Sequence, residues 1–205
     1  NSEIALQSTL INRNINFSII YPVNKEQYLP CILAKDEIKL ILKNTSNIKH
    51  KAILASIYGL GLRISEVVNL RVDDIDSKRM LVHVHNAKGK KDRMVMLPNK
   101  LLILLRVYFK DYNPKNYLFE GAKNGIYSQS SIRKILKVSA NKSKIKKPIT
   151  VHTLRHTFAT HLLENGTDIR IIQKLLGHKN IKTTLLYTQV AESTIQNVQS
   201  PIDLI

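Results

Sequence analysis

Apolar residues recur at helical spacing along most of the chain and change once, near its middle, to a period of two. After Pro30, the run Leu33-Ala34-Lys35-Asp36-Glu37 opens a predicted helix whose apolar face is Ile38, Leu40, Ile41 and Leu42. Asp36 and Glu37 fall in its first turn, where unpaired backbone N–H groups carry partial positive charge. A second helix is predicted from Ile48 to Tyr58, apolar at Ile53, Leu54 and Ile57. It stops at Gly59-Leu60-Gly61, because glycine enters the left-handed conformation of a helix end without steric cost. Ser65 then reads as the cap of a short helix through Leu70. From Arg79 to Leu97, Leu81, Val82 and Val84 alternate with His83 and His85. A polar Lys88–Arg93 turn and the apolar Met94–Leu97 follow, so a β-hairpin with a basic tip is expected. Helical spacing returns over 101–109, 130–139, 153–163 and 169–176, the last ended by Gly177. An amphipathic stretch over 183–190 leads into a tail closing in Pro201-Ile202-Asp203-Leu204-Ile205. The expected fold class is mainly α with a small antiparallel β-sheet or hairpin.

Residues 1–28 break this regularity. They are polar and Asn-rich, with a short apolar patch at Phe17, Ile19 and Ile20, and read as a linker or the end of a mostly absent N-terminal domain. One domain is expected over 29–205, with 189–205 as its tail.

Composition adds a partner. The 205 residues carry 32 Lys and Arg against 15 Asp and Glu, a formal net charge of +17. Such a field draws polyanions. A membrane-surface protein would need bulky aromatic anchors, but Trp is absent and aromatics make up 6%. Cys31 is the single cysteine, so no internal disulfide can form. No apolar run approaches the length of a bilayer span. A cytoplasmic, nucleoid-associated protein bound to nucleic acid is expected.

Several short motifs could hold a phosphate. His152-Thr-Leu-Arg155 sets an imidazole and a guanidinium on one side of a helix, leaving Leu154, Phe158 and Leu162 for the core. Arg offers a forked pair of donors, and His exchanges a proton near neutral pH; a solvated helix face would look the same. His152 and His156 stand at i, i+4 as in a zinc helix, yet the intervening Glu is missing and Arg155 would repel a cation. Gly59-Leu-Gly-Leu-Arg63-Ile-Ser-Glu66 places a second arginine after a glycine turn, with Glu66 three residues on to orient it. Tyr187 follows Gly177-His178 by nine residues. Its pKa near 10 makes it a poor nucleophile unless cations favour the phenolate.

In order, Gly-Leu-Arg63-Ile-Ser-Glu66, Lys88, His152-x-x-Arg155-His156-x-Phe158-Ala159-Thr160, Leu176-Gly177-His178 and Tyr187 resemble the active-site series of the tyrosine recombinase, or phage integrase, family. The resemblance covers about residues 29–205. It implies the catalytic-domain fold of that family and a site-specific recombinase that cleaves and rejoins DNA through a 3′-phosphotyrosine, in integration or excision of a mobile element or a related rearrangement. It implies Tyr187 as nucleophile and Arg63 and Arg155 as clamps on the non-bridging oxygens. Lys88 is implied as proton donor to the leaving 5′-oxygen, His152 and His178 as hydrogen-bonding and proton-transfer groups, and Glu66 as a support. Lys90 and Lys91 stand beside Lys88, and the hairpin register decides which lysine reaches DNA.

Exchanging a phosphodiester for a phosphotyrosine needs no nucleotide triphosphate, and the chain has no GxxxxGK[ST] loop. It has no acidic cluster of the sort that holds two catalytic metals. No cofactor and no metal are expected. The expected partner is double-stranded DNA, bound as a homotetramer, with a monomer or weak oligomer when free; the resemblance implies a tail passed to a neighbouring subunit, and folding back onto its own domain is the alternative. Lys90, Lys91, Arg93, Arg133, Lys134 and Lys137 are expected DNA contacts, with helix 130–139 facing a groove. Two rivals share parts of the pattern. Asp168–Gly177 followed by Asn180–Leu185 also describes a helix-turn-helix regulator, and a type IB topoisomerase-like enzyme would share the chemistry.

Overall fold

The computed structural model describes residues 30–85, 92–122 and 125–189. Its elements run α1 (Lys35–Lys43), α2 (Ile48–Leu60), α3 (Ile64–Asn69), a 3₁₀ turn (Val72–Asp74), β1 (Ile75–Asp76), β2 (Leu81–Val84), β3 (Arg93–Met96), α4 (Asn99–Tyr112), α5 (Gln129–Lys142), α6 (Val151–Glu164), α7 (Ile169–Leu176), α8 (Lys182–Leu185) and a closing 3₁₀ turn (Leu186–Gln189). The fold class matches the expected one. The expected linker at 1–28, the hairpin tip and nearly all of the tail lie outside the described residues.

α2 is the axis of the domain. Ala52, Ile53, Leu54, Ala55, Ser56, Ile57 and Leu60 are all buried, so it is covered on nearly every side. Sequence spacing suggested one apolar face; a helix apolar or small around its circumference is a core helix instead. α4, α5 and α6 pack against it. Asn47 caps its start by accepting from the His50 N–H, and Gly61, at φ +62°, ends it. Gly59 stays helical. The left-handed residue is Gly61, where a Cβ would lie 2.4 Å from the Phe158 ring.

Ser65 does not cap α3. The cap position is Arg63, whose N–H donates to the Glu66 carboxylate at 2.8 Å. The acidic side chain reaching back from the first turn satisfies a donor that the helix cannot. β2 and β3 form the predicted hairpin, pairing Leu81 with Met96 and Val84 with Arg93. Val82 and Val84 point inward while His83 and His85 face outward. Sequence spacing missed the two-residue strand β1, which pairs Ile75 with Val82. α6 is capped by Thr150 and α7 by Asp168, and α7 ends at Gly177 with φ +64°. Thr157 on α6 accepts from the Leu33 N–H, tying the segment before α1 to the core. No helix among the described residues is long and apolar enough to cross a membrane.

Candidate active site

Two glycine-ended helices aim their last carbonyls at one guanidinium. Arg155, on α6, is 3% exposed. Its Nη1 donates to the Gly61 carbonyl at 2.7 Å and its Nη2 to the Leu176 carbonyl at 2.6 Å. Helix C-termini carry partial negative charge, which compensates a cation buried there. Burial, and next the neighbouring Arg63, push the Arg155 pKa down to about 9, so it stays cationic at neutral pH.

Glu66 is the hub of the arginines. Its carboxylate accepts from Arg63 Nη1 at 2.7 Å and from Arg93 Nη1 and Nη2 at 2.8 and 2.9 Å, and it lies 3.6 Å from Arg155 Nη1. Burial works against its charge, but the bonds and charge of Arg93 win and bring its pKa to about 2. The predicted Arg63–Glu66 contact is present. The expectation that Arg93 touches DNA is corrected: its side chain is 6% exposed, doubly paired to Glu66 and bonded through Nε to the Leu175 carbonyl at 2.6 Å. A guanidinium held by two buried carboxylate oxygens and a half-buried carbonyl is part of the frame. Gly177 makes room for it, since a Cβ there would lie 3.2 Å from Arg93 Cδ.

His178 follows directly. Its Nε2 lies 3.2 Å from Arg155 Nη2 and its Nδ1 3.0 Å from the Thr184 hydroxyl. Because Arg155 can only donate, Nε2 accepts and the ring proton sits on Nδ1. Burial and then the arginines lower its pKa to about 4. The imidazole is therefore neutral at pH 7.

Tyr187 sits in the closing 3₁₀ turn and is 1% exposed. Its hydroxyl lies 3.1 Å from His156 Nδ1, and its ring stacks on His178 with centroids 6.4 Å apart. Burial raises its pKa, while Arg155 and Arg63 oppose the rise. The sequence reading weighed His156 as half of a metal pair and placed it in the motif after Arg155, but gave it no role in the site. His152 stands partly covered at the start of α6, and that partial burial first, and then Arg155, Arg63 and Arg133, lower its pKa.

The structure thus brings together Arg63, Glu66, His152, Arg155, His178 and Tyr187 around the start of α6 and the turns ending α2 and α7. A cleft of about 600 Å³ opens beside His152, lined also by Ile64, Arg133, Lys137, Lys147 and Thr150. Arg133, Lys134 and Lys137 are exposed on α5. Lys134 borders a different cleft, with His50 and Tyr127. Lys88, Lys90 and Lys91 lie outside the described residues.

The model of the Phage integrase family matches residues 32–194. A putative integrase/recombinase, y4qK, of Sinorhizobium fredii is 44% identical over 88% of this chain and 59% of its own length. Tyrosine recombinase XerA of Pyrococcus horikoshii is 38% identical over 86% of this chain and 63% of its own. The crystal structure of a XerA recombinase superposes with a TM-score of 0.76 at 32% identity, covering 92% of this chain and 69% of that one. The chain spans about three-fifths of the length of the first two relatives.

Proposed function

The chain belongs to the phage integrase family, and from that premise we propose that it cleaves and rejoins DNA as the catalytic part of a site-specific tyrosine recombinase. The observation that carries this reading is a tyrosine whose hydroxyl lies 3.1 Å from His156 Nδ1, whose ring stacks on His178 and which feels the charges of Arg155 and Arg63; a cleft lined by basic side chains opens at His152, one helical turn before His156.

In this mechanism Arg63 and Arg155 hold the non-bridging oxygens of the scissile phosphate. An oxyanion entering between Arg155 and His178 takes the place of their 3.2 Å contact. The phenol oxygen of Tyr187 attacks phosphorus and the bond to the 5′-oxygen breaks. His156 Nδ1 receives the phenol proton, and Lys88 supplies the proton that the 5′-oxygen takes up. His152 and His178 donate or accept hydrogen bonds as charge builds on the phosphorane, and Glu66 holds Arg63 in place. Each preorganised donor is worth about 3–4 kcal/mol of transition-state stabilisation. A phosphodiester is exchanged for a phosphotyrosine, so the bond energy is kept for rejoining.

Double-stranded DNA is the partner in this reading. Arg133 and Lys137 contact it from α5, Lys90 and Lys91 from the hairpin tip, and Lys134 from the adjoining face. The protein works as a homotetramer on DNA and is a monomer or weak oligomer when free, in the cytoplasm at the nucleoid. Integration or excision of a mobile element, or a related rearrangement, is the task proposed. Against a regulator without chemistry stands the use of the α7–α8 turn: Leu176 and His178 both contact Arg155.

A DNA duplex nicked close to the cleavage point traps the covalent intermediate. The chain is expected to form a denaturant-resistant protein–DNA adduct with it, and Tyr187→Phe is expected to bind the same duplex without one. An adduct retained by Tyr187→Phe would overturn the assignment.

A further inference from the structure

We propose that the turn end of the β2–β3 hairpin is a binding site for a divalent transition metal of the zinc class, with Asp74, His83 and His85 as ligands and Asp92 beside them. Strand periodicity brings the histidines together. His83 on β2 and His85, just after its last residue, lie on the face opposite the buried Val82 and Val84, with ring centroids 4.1 Å apart. Asp74 comes from the 3₁₀ turn immediately before β1, and the pairing of β1 with β2 sets it beside them.

One ligand atom from each of Asp74, His83 and His85 lies within 4.8 Å of the others. His85 Nε2 is 2.8 Å from Asp74 Oδ1, while Asp92 Oδ2 lies 2.9 Å from His85 Nδ1 and 3.2 Å from His83 Nε2. Tetrahedral bonds of about 2.0–2.1 Å put ligand atoms roughly 3.3 Å apart, so small rotations of the side chains suffice. The rings can make them, because the side chains of His83 and His85 are 39% and 49% exposed.

Asp74 gives the site its fixed point. Its side chain is 6% exposed, and Oδ2 accepts from the Arg71 N–H at 2.8 Å, leaving Oδ1 for the histidines. Among the described residues its one ion pair is with His85. A buried carboxylate needs a cation, and imidazole nitrogens beside it select zinc, nickel, copper or cobalt over calcium or magnesium. Asp92, on the far nitrogen of His85, matches the carboxylate that commonly orients a metal-bound imidazole. The two carboxylates together balance a dication in a chain of net charge +17.

His85 and Asp92 flank residues 86–91. A metal there staples both ends of the segment that carries Lys88 to the turn before β1. This consequence rests on the proposed chemistry; the binding itself does not. Binding is therefore read on the DNA-free chain. After chelation and dialysis, Co²⁺ titration is expected to give one equivalent with tetrahedral visible absorption, displaced by Zn²⁺. The His83→Ala/His85→Ala pair is expected to weaken binding at least tenfold, as is His83→Gln alone, which changes one half-exposed side chain. His152→Ala/His156→Ala is expected to retain it. No Co²⁺ binding by the unmodified chain, binding by both His83 variants as tight as that of the unmodified chain, or loss only in the His152/His156 pair would overturn the proposal.

Discussion

Arg93 separates a DNA contact from a structural ion pair, because Arg93→Ala has opposite consequences in the two cases. Its guanidinium makes two bonds to Glu66, at 2.8 and 2.9 Å, and one to the Leu175 carbonyl at 2.6 Å, with 6% of the side chain exposed. Breaking a buried ion pair from one side costs about 3–5 kcal/mol, since the remaining charge is left without compensation. Glu66 would keep Arg63 Nη1 at 2.7 Å and Arg155 at 3.6 Å, which points to the low end, about 3 kcal/mol. In a chain of this size that lowers the melting temperature by roughly 6–12 °C. The assay is urea and thermal unfolding of the DNA-free chain, alongside DNA affinity measured as a function of salt. Arg133→Ala, on the exposed face of α5, is the contrast: stability within about 0.5 kcal/mol and a salt slope shallower by about one. Arg93→Ala that leaves stability intact while reducing the salt slope would refute the burial argument.

Two further outcomes follow from the same frame. The Glu66 pKa is depressed to about 2 and that of His178 to about 4. In both cases the unfolded chain takes up protons that the folded chain refuses, so stability is lost as the pH is lowered. The His178 contribution is complete above about pH 6.5 and is lost toward pH 4; that of Glu66 is complete above about pH 4.5 and is lost toward pH 2. Unfolding across this range should therefore show a shallower upper limb in His178→Gln and a shallower lower limb in Glu66→Gln; limbs unchanged from the parent chain would contradict the assignment. Gly61→Ala combines φ +62° with a Cβ 2.4 Å from Phe158, whereas Gly166→Ala meets φ +82° and open space. Left-handed strain of about 1–2 kcal/mol applies to both, and overpacking of about 1–3 kcal/mol to Gly61 alone. Equal melting temperatures for the two variants would count against the Gly61 close approach.

Element order, the hairpin and the helix ends at Gly61 and Gly177 were legible in the sequence, because apolar period and glycine are local signals. The series Arg63, His152, Arg155, His178 and Tyr187 was legible as a motif in order. Charge alone misled at Arg93: a basic residue beside Lys90 and Lys91 reads as part of the tip, whereas its pairing opposite Val84 turns it inward onto Glu66. The sequence showed His156 beside Arg155 and His83 and His85 on one strand face, but not what they meet. Their partners lie 31 residues away at Tyr187 and 11 at Asp74, and no local period encodes a contact across that separation. What the sequence determined by itself was which side chains are present, on which of the main elements, and where α2 and α7 end. The tertiary structure decided which cations are solvated and which are locked. Only packing against Glu66 and the carbonyls of Gly61, Leu175 and Leu176 makes Arg93 and Arg155 parts of the interior while Arg133 and Lys137 stay outside, because a buried charge is stable only where acceptors from distant segments converge on it.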